Sequence, residues 1–129
     1  MTNKPKIYIA GPYTQGVPIS NVRAALVVAD ERLVLGYAPF VPHLSHFWNL
    51  ILPHTYETWM ELDLQWVVMC DVVYRMPGVS VGADSEVDFA MANGIPVLYT
   101  MPSAETFYNK YKEEQKELDK SYESYIESD

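Results

Sequence analysis

The sequence predicts an α/β fold, a flavodoxin-like or Rossmann-like parallel sheet of four to five strands with helices on both faces, and three observations carry that prediction. Short β-branched and aromatic runs recur at residues 6–10, 37–41, 71–75 and 95–100. The segments between them place apolar residues at spacings of three and four, the period of a helix. Glycines, Gly36 and Gly94, end two of those helical segments. Strand and helix alternating over such short intervals imply right-handed crossovers and a parallel sheet, with the expected order 2-1-3-4.

The 129 residues fit one domain, residues 1–129. Its first strand, 6–10, runs into Gly11-Pro12, where a buried strand gives way to a loop. Ser20 is the expected cap of a helix carrying Val22, Ala25, Leu26, Ala29 and Leu33. The second strand, 37–41, leads into an irregular connection starting Pro42-His43-Leu44-Ser45-His46, and a helix is expected over about 56–70. After the third strand, 71–75, come a loop to Ala83, a helix over about 84–93, and a fourth strand at 95–100. The last segment, about 103–125, is an amphipathic helix with an acidic end, carrying Phe107, Tyr111, Leu118, Tyr122 and Tyr125. That stripe either closes the sheet or meets a second copy of the chain. In a doubly wound sheet ligands sit beyond the carboxyl ends of the strands where the order reverses, so loops 11–18 and 76–85 are the ones that bear on function.

Composition narrows the partners. The chain is 49% hydrophobic and 20% charged, a globular composition, and its net charge of -8 repels a nucleic-acid backbone. Its single cysteine, Cys70, cannot form an internal disulfide, and the start MTNKPKIYIAGPY lacks the pattern of a signal peptide. No apolar run approaches the length of a bilayer span. A cytoplasmic protein with no membrane partner is the expectation.

Two acids stand out. On a helical wheel Asp63 shares a face with Trp59, Leu62, Trp66 and Cys70, which places a carboxyl on the buried stripe. Unpaired burial raises such a group's pKa, unless loop amides satisfy it. Glu86 aligns with Phe89, Ala90 and Asn93, and with a helix starting near Asp84 it falls in the first turn, where free N–H groups favour the ionised form. Taken alone it reads as an ordinary first-turn glutamate. The sheet order brings both acids toward one crevice, and a carboxylate held ionised beside a second that keeps its proton is what glycosidic cleavage requires. His43 and His46, with His54 further on, lack the accompanying ligands of a metal site and are expected to line the pocket beside Phe47 and Trp48; no metal or cofactor is expected.

The ordered set Tyr8-Ile-Ala-Gly11-Pro12-Tyr13, Asp63-Leu-Gln-Trp66, Cys70-Asp71, Ser80-Val-Gly82-Ala-Asp-Ser-Glu86 with Ala90, and Gly94-Ile-Pro-Val97 resembles the nucleoside 2-deoxyribosyltransferase superfamily over residues 6 to about 100. It is similar in particular to a small phage and bacterial branch carrying Pro-His-Leu-Ser-His-Phe-Trp. The resemblance implies a covalent mechanism, with Glu86 attacking the anomeric carbon, Tyr8 fixing that carboxylate and Asp63 serving the leaving base. Gly11, Pro12, Tyr13, Thr14, His43, Ser80, Gly82 and Ser85 are the expected substrate contacts. Ser80 stands where transferases of the family carry an aspartate, which resembles the deoxynucleoside 5'-monophosphate N-hydrolases. In that reading the backbone amides of loop 11–16 with the hydroxyls of Thr14, Ser80 and Ser85 cradle a phosphate, with Arg23 and Arg75 approaching to balance its charge. The implied partners are a nucleoside or nucleotide and further copies of the chain, in a homodimer or higher homo-oligomer. The other readings are a non-catalytic nucleotide or sugar-nucleotide sensing module and, last, an interaction protein acting through its acidic tail.

Overall fold

The computed structural model describes residues 3–127. Four parallel strands form one sheet, β1 (Lys6–Ala10), β2 (Ala38–Phe40), β3 (Val72–Arg75) and β4 (Val97–Leu98), in the order β2-β1-β3-β4. The order and the parallel pairing agree with the sequence expectation. The register sets Tyr8 beside Phe40 on one side and Val73 on the other. Alternate strand residues then serve opposite faces. Ile7, Ile9, Val72 and Tyr74 pack with Ala25 and Ala29 of α1 (Pro18–Leu35) and Ala104 of α5 (Met101–Glu127). Tyr8, Ala10 and Val73 pack with Val67 of α3 (Tyr56–Val67) and Ala83, Val87 and Ala90 of α4 (Val81–Ala92). Helices cover both faces.

Several boundaries differ from those expected, each for a local reason. Helix α1 starts at Pro18, whose fixed φ suits the first helical position, so Ser20 lies inside the helix and caps nothing. Strand β2 is shorter than 37–41 because the Tyr37 N–H bonds back to Arg32 O at the helix end. Strand β4 begins after Pro96, which has no N–H for the ladder. The expected irregular connection holds a 3-10 turn, Pro42–Leu44, and a seven-residue helix, α2 (Ser45–Ile51). Helix α4 begins at Val81, three residues before Asp84, because the Ser80 hydroxyl accepts the Ala83 N–H at 3.1 Å and caps it. On α3 the inward side is rotated toward Met60, Leu64 and Val67; Trp66 is 44% exposed, its ring lying on Phe40 at 4.9 Å. Asp63 thereby sits on the flank of the helix and not in the core.

Helix α5 follows β4 after a two-residue link and packs through Ala104, Phe107 and Tyr108, with the Tyr37 phenol donating to Ala104 O at 2.7 Å. Beyond Tyr111 its apolar residues Leu118 and Tyr122 are exposed. Of its acidic end, Ser128 and Asp129 lie outside the described residues, as do Met1 and Thr2. No helix among the described residues is long and apolar enough to cross a membrane.

Candidate active site

The ends of β1 and β3 approach so closely that a Cβ on Gly11 would stand 2.7 Å from Met76 Sδ and 3.0 Å from its Cβ, so a larger residue would displace the methionine. Beyond this point opens a cavity of about 570 Å³, a size suited to a small molecule. Asp63 from α3 and Glu86 from α4 both line it. The two acids singled out in the sequence, 23 positions apart, are thus brought to one place by helices packed side by side on the same face of the sheet.

Glu86 is 5% exposed and accepts a hydrogen bond from the phenol of Tyr8. Tyr8 is fully buried on β1, and its ring is held by stacking on Phe40 at 5.7 Å. The ionised state expected for Glu86 does not survive the structure. With α4 starting at Val81, Glu86 is the sixth helical residue, beyond the free N–H groups of the first turn, and burial pushes its pKa up to about 8. Burial also pushes Asp63 up, to about 7. Both acids are biased toward the protonated form, Glu86 the more strongly.

The glycine-proline loop forms another part of the wall and is fixed from two sides. Asn21 of α1 donates to Tyr13 O at 2.8 Å and Gln15 O at 2.6 Å. His43, 4% exposed, donates from Nε2 to Pro12 O at 3.1 Å, and the Tyr13 hydroxyl lies 2.6 Å from His46 Nδ1. Burial lowers the His43 pKa, so the ring is neutral and its Nε2–H tautomer follows from the carbonyl it faces.

Of the expected contacts, Gly11, Tyr13, Thr14, His43, Ser80 and Gly82 line the cavity. Gly82 also lets α3 approach, since a Cβ there would meet Tyr56 Oη at 3.2 Å. Pro12 does not line the cavity and contributes only its carbonyl, to His43. Ser85 is exposed, bonds to Val81 O within α4 and does not line the cavity. Of the expected phosphate cradle, Thr14 and Ser80 line the cavity but the balancing cations do not: Arg23 is exposed on α1, and Arg75 is spent on Gly78 O and Asp84 at 3.0 and 2.8 Å. Among the described residues, no lysine or arginine lines the cavity. His43 and His54 line it, whereas His46, Phe47 and Trp48 do not.

Sequence reasoning missed Asn49, Tyr56 and Met60 and used Trp59 to mark the face that carries Asp63; all four line the cavity. Trp59 at the i-4 position from Asp63 was the available signal, because two residues one helical turn apart face the same way.

Compared with known proteins, residues 5–99 match a family described as Domain of unknown function (DUF4406). No curated protein matches the chain. The solved structure of a 2-deoxyribosyltransferase from the psychrotolerant bacterium Bacillus psychrosaccharolyticus is similar in fold, with a TM-score of 0.52 at 22% identity, over 71% of this chain and 69% of that one.

Proposed function

The chain belongs to the DUF4406 family, and we propose that it cleaves or transfers at the N-glycosidic bond of a deoxynucleoside. The observation that carries this reading is the convergence of Asp63 and Glu86 on one cavity, with the Tyr8 phenol on the Glu86 carboxyl. The similarity in fold to a 2-deoxyribosyltransferase is consistent with it. In the proposed reaction an ionised Glu86 oxygen attacks the anomeric carbon as the carbon–nitrogen bond to the base breaks. The electron pair leaves with the base, which takes a proton from Asp63. Tyr8 holds the attacking carboxylate in line. A second base or water, giving its proton to the now ionised Asp63, then displaces the Glu86 carboxylate from the sugar, giving transfer or hydrolysis with retention. The absence of lysine and arginine among the described lining residues favours a nucleoside over its 5'-monophosphate, since no cation there would balance a phosphate.

The test is incubation with deoxynucleosides and their monophosphates, followed by chromatography for free base. Release from nucleosides, abolished in Glu86→Ala, is the expected result. A 2-fluoro-deoxynucleoside should leave a sugar-sized mass increment on the Glu86 peptide. Binding without base release would overturn the catalytic reading in favour of a sensing module.

A further inference from the structure

Asn49 on α2 and Trp59 on α3 line the cavity together with Asp63, yet neither has a part in bond cleavage as written above. The Asn49 Oδ1 accepts two hydrogen bonds, from the Trp59 indole N–H at 2.7 Å and from the His54 backbone N–H at 2.9 Å. Both partners can only donate. The orientation of the amide is therefore determined by its surroundings: the oxygen faces the two N–H groups, and the NH2 lies on the opposite side. All the hydrogen bonds of the Asn49 side chain among the described residues run through that oxygen, so two donors remain for a ligand. The Trp59 ring is immobilised as well, with Trp48 at 5.1 Å and 78° and His54 at 5.3 Å and 86°.

Resting on the nucleoside reading of the cavity, we propose that Asn49 selects the base: its NH2 donates to an oxo group of a nucleobase lying along Trp59, so oxo-bearing bases are taken over their amino counterparts. Asp63 follows Trp59 by one helical turn and lines the same cavity, so the ring nitrogen it serves and the oxo group that Asn49 serves belong to one leaving group. An amino group in the oxo position sets donor against donor in a partly desolvated site, leaving both unpaired. A site built to donate to an oxo group discriminates strongly against the analogue lacking it.

The experiment compares kcat/KM for base release from deoxyinosine against deoxyadenosine, and from deoxyuridine against deoxycytidine, in the native protein and in Asn49→Asp. That substitution keeps an oxygen for the Trp59 and His54 bonds and replaces the NH2 by a second acceptor. The native protein should favour the oxo member of each pair by about tenfold or more, and Asn49→Asp should collapse or reverse that ratio with an unchanged near-ultraviolet circular dichroism spectrum. A native ratio near one, or a ratio unaltered in a folded Asn49→Asp, overturns the assignment while base release itself still supports the glycosidic reading. Should Asn49→Asp not fold, the native ratio alone decides. No release or binding of any nucleoside overturns both.

Discussion

Glu86 and Asp63 take their chemistry from burial and not from an ionic neighbour. The proposed reaction needs Glu86 ionised and Asp63 protonated. With the groups near 8 and 7, the competent combination exists in well under about a tenth of free molecules and is richest between those values. The pH profile of kcat/KM should be bell-shaped, with limbs near about 7 and about 8. The same burial acts on stability. Between its ordinary value of 4.5 and about 8, Glu86 keeps its proton in the folded chain and loses it in the unfolded one. The folded state binds more protons, so this contribution is full at low pH and is lost as pH rises through that window, by up to about 1.4 kcal/mol per pH unit. Urea unfolding at pH 5 and pH 8 should show it, and Glu86→Gln should reduce the difference to the part that Asp63 contributes. Both acids stood out in the sequence, Glu86 correctly as an inward-facing carboxyl and Asp63 as one on the buried stripe, whereas it sits half-buried on the flank of its helix. Their protonation was only half legible, because the state of Glu86 depends on where its helix starts, and that was set by a serine hydroxyl four residues upstream of the expected first turn.

At the scale of elements, two positions join a local rule to the packing around it. Ser80 starts α4 and so decides which turn presents Glu86. Ser80→Ala should lower stability by about 1 kcal/mol in urea unfolding and reduce turnover by loosening that turn. Gly36 ends α1 at a φ of +129°, and a Cβ there would stand 2.3 Å from Tyr108 Oη of α5. Gly36→Ala should therefore cost at least about 1 kcal/mol, read as a lowered urea midpoint. The glycine stop was visible in the sequence; its contact with a residue 72 positions later was not. Helix α2 went unread for another reason. Its side chains, among them Phe47, Trp48, Leu50 and Ile51, are largely exposed, so it has no apolar stripe to betray a helical period. The base-facing wall of the cavity hangs on that unread helix.

The whole molecule was the most legible level. Strand order follows from alternation and handedness, which depend on the pattern of the chain and little on any one side chain. Assembly is less accessible from one chain. We propose that the outer part of α5, where Leu118 and Tyr122 are 61% and 68% exposed, meets a second copy. Sedimentation should then show a concentration-dependent dimer or larger species, and replacing both residues with serine should give a monomer whose circular dichroism is unchanged. A native protein that sediments as a monomer at all concentrations would remove that interface.

The bonds that Asn21, His43 and His46 make to the loop after β1 bear on the heat of ligand capture. A rim already fastened at three points has little motional freedom left to surrender when a guest arrives. Titration calorimetry should accordingly register only a small entropic penalty for chain ordering, and cutting the Asn21 fastening should enlarge it.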